Sequence, residues 1–432
     1  MNRIFKLYLL LAISVVTAHA QAPFADPVLQ NLIDAGLSFS PDVRNAVSRV
    51  EEARIRIRLA ESYLRPSVRG NPLVQTQSLS PNRPVQFANV NVQRVQVNTF
   101  QIPVDATFEL DLFKRLRQGV QLAQLQTQIT EADVRIARLA VASEIARVYT
   151  LVRTNDVEQA VFARTLLARD SVLAVVRERF RIGLTSEIDV RRAETEIASL
   201  RTQQSALQRS RHELINGIAI LTGNPVENFT IASAELPVYP TPAYSTVTVD
   251  LLRNRPDIQQ SDLQVSAADL QVGITRKLMK PRVNLLGSGG FQSGKIEKIV
   301  FPTSYTYLFG VGASFPIYEG HRNRENINLA QQQVQTARTV TDQRLVVAQR
   351  EAEVSLDNIR DLENQIANQD VVIQSARQTE RLVREIYGKG LTTYLDVLDA
   401  QRTTIESERQ MVQLQGQRLV YAVAHWKALG GL

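Results

Sequence analysis

The sequence predicts a mainly α-helical fold with a smaller β part, built from one structural unit written twice. Three observations lead to this prediction: two glycine-centred motifs recur far apart, two stretches alternate apolar and polar residues, and two segments of nearly seventy residues lack proline. Repetition indicates a duplicated architecture, and alternation indicates strands with two different faces. Without helix breakers, the proline-free segments can form unusually long helices.

The duplication is clearest at the two motifs, which run from Val176 to Val190 and from Val383 to Val397. An offset of 207 residues aligns the two copies without a gap from Phe108 and Phe315 onward. Upstream the offset becomes 215, so the first copy carries extra residues between Pro66 and Phe108. We expect this insertion to lie in a loop, because loops tolerate added length.

The first twenty residues are typical of a cleavable secretory signal. Arg3 and Lys6 precede an apolar run from Leu7 to Val16, and an Ala-His-Ala sequence ends at Ala20. We therefore expect residues 1–20 to be removed on export. The chain contains no cysteine, so lipidation of the new N-terminus, disulfide bonds and thiolate metal sites are not expected.

Each repeat, predicted as 21–223 and 251–432, opens with a helix. Proline at the first helical position, Pro41 in one copy and Pro256 in the other, has no amide hydrogen that the helix would need. The second of these helices is predicted at about 256–280, since the following proline ends the hydrogen-bond ladder.

Two β-hairpins are predicted at about 66–113 and 281–318, giving four strands per chain. Their alternation suits a wall with lipid on one side and water on the other, or a half-buried strand on a soluble core. Four strands cannot close a barrel, and open edges are forbidden in lipid, so a membrane wall would need several chains. Three chains would pool twelve strands, enough to enclose an aqueous pore.

Long helices are predicted at about 114–182 and 320–388, each on the order of 100 Å at about 1.5 Å per residue. Their apolar stripes indicate coiled-coil packing. Wide polar faces favour the wall of a hollow tube, although a solid coiled coil would share the stripe. Return helices follow at about 187–221 and 394–428, and the proline-rich segment 224–250 reads as a linker between the copies.

The long helices are predicted to end at Gly183 and Gly390, where glycine can adopt a left-handed conformation. Each restarts within a few residues at a predicted capping box, in which a hydroxyl accepts from a first-turn amide and a carboxylate accepts from the cap amide. These segments are therefore tight helical hairpin tips. The two predicted boxes pair Ser186 with Asp189 and Thr393 with Asp396.

Charge and composition argue against several other functions. The formal net charge is +7, but arginines alternate with acidic residues, which is typical of a solvated helical surface and not of a nucleic-acid site. The histidines are dispersed, and no nucleophilic or metal-binding constellation is evident. We therefore expect no cofactor, no nucleic-acid partner and no enzymatic activity.

The whole mature chain resembles the outer-membrane efflux protein family typified by TolC. The resemblance rests on the duplicated tip motif, the helix start Asn254–Ile258 and the continuation Leu395–Gln401. It implies a TolC-like homotrimer with four strands per protomer in a shared twelve-stranded outer-membrane β-barrel, which continues into a long α-helical periplasmic barrel.

The resemblance also implies a function. The chain would be the passive exit duct of a tripartite efflux or type I secretion system in the outer membrane of a Gram-negative bacterium. Its partners would be a periplasmic adaptor, also called a membrane fusion protein, an inner-membrane transporter and outer-membrane lipid. The alternative is a periplasmic adaptor or coiled-coil scaffold protein, although an adaptor normally needs one helical hairpin plus compact β domains.

By the same resemblance, Asp396 and Asp399 match acidic residues that narrow the periplasmic aperture. Three copies would gather six carboxylates, which attract cations. Asp396 also has its capping role, and Asp399 would otherwise lie on a solvated face. Arg192 occupies the position that Asp399 holds in the other copy. This difference suggests an ion pair between neighbouring hairpins, with Tyr387 as a candidate hydrogen-bond partner.

The exposed tips resemble the family's adaptor-docking surface. Turn chemistry alone would also explain their glycines, and a tip must turn before it can dock. The docking candidates are Gly183, Leu184, Thr185, Gly390, Leu391 and Thr392.

Overall fold

The computed structural model describes residues 24–81, 94–239 and 248–431, so the predicted signal at 1–20 lies outside the described residues. Within those ranges no helix is both long and apolar enough to cross a membrane. The described helices are α1 Pro27–Phe39, α2 Pro41–Ser62, α3 Arg115–Arg181, α4 Glu187–Thr222, α5 Val249–Leu252, α6 Pro256–Lys277, α7 Arg322–Gly388 and α8 Tyr394–Ala428. The described strands are β1 Ser67–Gly70, β2 Leu73–Leu79, β3 Val95–Leu110, β4 Arg282–Ser293 and β5 Tyr305–Ser314.

The two longest helices, α3 and α7, contain 67 residues each. The sequence predicts them at about 114–182 and 320–388. The predicted linker 224–250 contains a short 3-10 helix, Val226–Asn228, and its end overlaps the start of α5. Helix α6 stops before the predicted end at 280, because Leu278–Lys280 form tighter turns ahead of the proline.

The described chain divides into two compact units. The first comprises residues up to 46, 133–259 and from 343 onward, and the second comprises 47–132 and 260–342. Helices α3 and α7 contribute residues to both.

The second unit contains one antiparallel sheet. Strand β3 pairs with both β1 and β2 on one side and with β4 on the other, and β4 pairs with β5. Strands β1 and β2 thus form a single edge strand interrupted at Asn71 and Pro72, where proline offers no amide hydrogen to the ladder. The sheet is therefore four strands wide, as the sequence predicts, with one strand broken.

One face of β5 exposes large apolar side chains. Tyr305 is 58% exposed, Tyr307 78%, Phe309 77% and Val311 64%. Residues two apart in a strand point to the same face, so these four form a continuous apolar stripe. The residues between them are Thr306, Leu308 and Gly310.

The main core of the first unit gathers side chains from α1, α3, α4, α7 and α8. Ile33, Tyr149, Ile218 and Trp426 are among its buried members, and the segment after α4 contributes Ile231. Large apolar and aromatic side chains dominate the stabilisation of such cores. This packing brings the return helices of both repeats against α3.

A buried polar network fixes the segment that follows α4. Arg153 and Asp156 are each 3% exposed. Asp156 pairs with Arg153 at 3.1 Å and with Arg211 at 2.6 Å. The two guanidinium groups donate to the carbonyls of Ala232 and Ile231, while the Ala234 amide donates to Asp156 at 3.3 Å. Because each charge is paired, the network can be buried.

Candidate functional site

Both hairpin tips use the same glycine-based helix stop. Gly183 and Gly390 have φ angles of 77° and 73°, a left-handed conformation that glycine adopts without steric cost. At each tip the residue after glycine donates its amide five residues back, Leu184 to Arg179 at 2.8 Å and Leu391 to Ile386 at 3.1 Å. This is the Schellman arrangement, which satisfies the last carbonyls of the helix.

The second tip carries a complete capping box. The Thr393 hydroxyl accepts from the Asp396 amide at 3.4 Å, and the Asp396 carboxylate accepts from the Thr393 amide at 3.0 Å. Asp396 also accepts from the hydroxyls of Thr392 and Thr393. The Thr392 and Thr393 hydroxyls and the Thr393 amide hold the pKa of Asp396 below its ordinary value of 3.8.

At the first tip the predicted capping role of Ser186 is wrong. Ser186 occupies the N-cap position, but its hydroxyl accepts no hydrogen bond from the helix. The Asp189 amide instead donates to the Ser186 carbonyl at 3.2 Å. The Asp189 carboxylate accepts from the Thr185 hydroxyl at 2.7 Å and from Ser186 at 3.3 Å.

The tips present apolar side chains to the outside. Leu184 is 64% exposed and Leu391 is 75% exposed. Behind them, α3, α4 and α8 share a cluster that includes Val176, Val190 and Tyr394, each at most 8% exposed. The helices are thus packed together while the leucines at their ends remain uncovered in the single chain.

The predicted pairing of Arg192 with Asp399 does not form within the chain. The Arg192 guanidinium lies 3.9 Å from Asp189 on its own helix. Asp399 lies 4.0 Å from Arg402, also on its own helix, and its side chain is 63% exposed. The two helices are nevertheless neighbours. Together they line an open groove of about 500 Å³, to which α4 contributes Arg191 and Arg192 and α8 contributes Leu395 and Arg402.

Within the chain, the Tyr387 hydroxyl forms no hydrogen bond to Arg192 or Asp399. This hydroxyl is buried and has no hydrogen-bond partner among the described residues. The Tyr387 ring lies beneath the Arg179 guanidinium at 4.8 Å and beside the Tyr394 ring at 5.8 Å. Tyr387 therefore packs between the two tips through its ring.

Sequence reasoning missed an ion pair that connects the two repeats. Arg402 of α8 donates to Glu196 of α4 at 2.7 Å, and Glu196 is only 7% exposed. In the aligned repeats Arg402 matches Thr195. Arg402, like Arg192, is a charge whose aligned residue in the other copy differs. That difference is the sequence signal that could have indicated Arg402.

No group of carboxylates and histidines in the described ranges could hold a metal ion. The tips themselves present exposed carboxylates, guanidinium groups and leucines around two glycine turns.

Comparison with known proteins places this geometry in context. The family model described as outer membrane efflux protein matches residues 32–224 and 247–431. The solvent efflux pump outer membrane protein SrpC of Pseudomonas putida is 28% identical over 425 residues, which cover 97% of this chain and 88% of that protein. The cation efflux system protein CusC of Escherichia coli K12 is 24% identical over 416 residues, covering 94% and 87%.

Solved structures share the fold. The outer-membrane channel OprN superposes with a TM-score of 0.83 at 23% identity, covering 95% of this chain and 91% of that chain. The outer membrane protein VceC from Vibrio cholerae superposes with a TM-score of 0.81 at 24% identity, covering 94% and 97%. The described helices and antiparallel sheet thus have the fold of these channels.

Proposed function

The chain belongs to the outer membrane efflux protein family, as its tip motifs predict, and we propose that it forms the passive exit duct of a tripartite efflux or type I secretion system. It would carry small molecules or proteins from the periplasm, or from an inner-membrane pump, to the exterior. An inner-membrane partner would supply the energy, and the duct itself would catalyse no reaction.

The observation that carries this proposal is the open sheet of the second unit. Its edge strands, the interrupted strand formed by β1 and β2 and the strand β5, each pair on one side only among the described strands. The stripe of Tyr305, Tyr307, Phe309 and Val311 on β5 is uncovered. A sheet with open edges and an apolar face is unsuited to water and, because of its edges, to lipid.

Three copies would resolve both problems together. Each would contribute a sheet four strands wide, and edge-to-edge pairing would close a twelve-stranded barrel with the stripe facing lipid. Small and polar residues between the stripe positions, such as Thr306 and Gly310, would face the lumen. We therefore propose a homotrimer in the outer membrane of a Gram-negative bacterium, exported by a signal at 1–20 and not lipidated.

The two tips would form the periplasmic end of the duct. Leu184 and Leu391 offer exposed apolar contacts on rigid turns, which suits docking of a periplasmic adaptor joined to an inner-membrane transporter. Asp396 and Asp399 of three copies would surround one axis and favour cations. Arg192 and Asp399, which are unpaired with each other inside one chain, would meet between neighbouring copies when the aperture is closed.

Sucrose-gradient fractionation combined with native mass measurement tests the proposal. The protein should sediment with the outer membrane, and the detergent-extracted protein should have three times the mass of one mature chain. An adaptor or scaffold protein would follow the inner membrane or the soluble periplasm. That distribution, or a stable monomer without detergent, would contradict the proposal.

A further inference from the structure

A cavity of about 310 Å³ lies between α3, α7 and α8 in the first unit, behind the tips. It is independent of the proposed aperture, because its lining includes neither Asp396 nor Asp399. The polar residues that line it include Arg164, Arg169, Glu380, Arg384, Gln401 and Glu408.

Arg169 is the unusual member of this lining. It is only 5% exposed, and its Nε and Nη1 atoms are buried without a hydrogen-bond partner among the described residues. A buried guanidinium without a partner is costly, because it loses its hydration and gains nothing in return. Burial accordingly lowers the pKa of Arg169, against the opposing effect of Glu196 and Glu380.

The other charges of the cavity are already paired. Arg384 contacts Glu380 on its own helix. Arg164 lies 3.8 Å from Glu408, which also accepts from Arg377. Arg169 is thus the one charged residue of the described lining that makes no ion pair within 4 Å.

Gln401 adds a second buried polar group to the same cavity. It is 3% exposed, and its Oε1 has no hydrogen-bond partner among the described residues. The two ends of a side-chain amide are interchangeable by rotation, so Gln401 can turn its NH₂ group toward an acceptor in the cavity.

The repeat itself shows that packing does not require arginine here. The aligned position in the second copy is Ala376, which is also buried at 7% exposure. A small apolar residue therefore suffices to pack a long helix at this level, and the arginine of the first copy calls for an additional explanation.

We propose that this cavity binds a small inorganic oxyanion, such as phosphate or sulfate, between Arg169 and Gln401. Guanidinium groups bind oxyanions through charge-assisted hydrogen bonds, and Gln401 would donate from the opposite helix. The volume accommodates the anion together with several waters, since a water occupies about 30 Å³. The bound anion would join α3 to α8 and stabilise the helices behind the tips.

Thermal unfolding of the full-length, detergent-extracted protein tests this assignment. Sodium phosphate up to about 50 mM, balanced against sodium chloride at equal ionic strength, should raise the unfolding midpoint of the wild type by at least about 2 °C. Arg169→Gln should abolish the rise. Arg177→Gln is the matched control, because Arg177 is an exposed arginine on the same helix, and it should retain the rise.

Equilibrium dialysis with phosphate gives a direct second readout. Arg169→Gln should weaken binding by at least about tenfold, a difference of about 1.4 kcal/mol. Gln401→Glu provides an independent variant, since it replaces the amide donor with a carboxyl group that repels an anion when ionised, and it should also lose phosphate binding.

Three results would overturn the proposal. One is a wild-type protein whose midpoint does not respond to phosphate, which would mean that water alone fills the cavity. Another is an equal response in wild type and Arg169→Gln, which would place the anion elsewhere. If Arg169→Gln fails to fold, unchanged phosphate binding by folded Gln401→Glu would exclude the site.

Discussion

The two hairpin tips have the same backbone and different chemistry. Both turn on a left-handed glycine and close with the same pair of amide-to-carbonyl hydrogen bonds. Beyond the turn, the second tip continues with Asp396 and Asp399, whereas the first places Arg192 where Asp399 stands. The two copies have thus kept the same glycine turn and its hydrogen bonds, while the charged side chains that follow the turn differ.

The caps differ in the same way. Thr393 completes a capping box. At the first tip, the Asp189 amide donates to the carbonyl of Ser186 and not to its hydroxyl. At both tips the aspartate accepts hydrogen bonds from neighbouring hydroxyls, so the tips differ in whether the N-cap hydroxyl accepts from the helix.

The largest expected effect tests what the tips share. Gly183→Val and Gly390→Val should each destabilise the protein by about 2 kcal/mol, because a β-branched residue is strained at positive φ. Thermal unfolding in detergent measures the loss. Gly388→Ala is the control, since Gly388 lies in a helix with open space around it, and it should be neutral or stabilising by up to about 1 kcal/mol. If valine at either position leaves the unfolding midpoint unchanged, that tip does not depend on a left-handed glycine and the two turns are not equivalent.

The next effect tests the charge difference. Replacing both Asp396 and Asp399 with asparagine should lower the cation-to-anion permeability ratio in planar bilayers by about threefold or more. Asp189→Asn, on the other tip, should leave the ratio unchanged, because the Arg192 guanidinium lies 3.9 Å from that carboxylate and offsets its charge. An unaltered ratio in the double variant would reject the carboxylate ring.

The two caps should differ by a smaller amount. Thr393→Ala should cost about 1 kcal/mol, the usual value of an N-cap side chain, whereas Ser186→Ala should cost almost nothing. Chemical denaturation of the two variants side by side measures this contrast. Equal losses would mean that both hydroxyls cap their helices in solution.

The smallest effect is a dependence on pH. Because the folded-state pKa of Asp396 lies below its ordinary value of 3.8, the stabilisation by its carboxylate is present above about pH 4 and lost as pH falls through the folded-state pKa. The midpoints of wild type and Asp396→Asn should therefore differ near neutral pH and converge in acid. A difference that stays constant between those conditions would contradict the assignment.

Local patterns carried most of the fold. The glycine stops, the proline boundaries and the alternation of Phe309 with its neighbours depend on residues close in sequence, so the turns, helices and strands could be predicted. The hydrogen bonding of Ser186 could not be predicted in this way. A hydroxyl can donate or accept, and the local backbone geometry determines which of the two it does. The break at Pro72 was also missed, since it depends on pairing with β3.

Long-range side-chain contacts were beyond prediction for a different reason. The pair between Arg402 and Glu196 and the isolated burial of Arg169 arise from how helices distant in sequence are rotated against one another. Periodicity indicates which face of a helix is apolar, but it does not state which arginine faces which glutamate. Comparison of the two copies supplies part of that information, since it highlights Arg169 against Ala376.

Residues 231–234, in the connection between the two copies, are held by hydrogen bonds to their peptide groups. Arg153, Asp156 and Arg211 engage two carbonyls and one amide, whereas the side chains of residues 232–235 are exposed. Residues 232–235 can accept many substitutions without loss of these hydrogen bonds, because every residue except proline provides the same main-chain groups. Ile231 cannot, because its side chain is buried in the core. The exposed side chains of residues 232–235 can therefore change during evolution while the main-chain hydrogen bonds remain. Proline at position 234 is the exception, because it would remove the amide hydrogen that donates to Asp156.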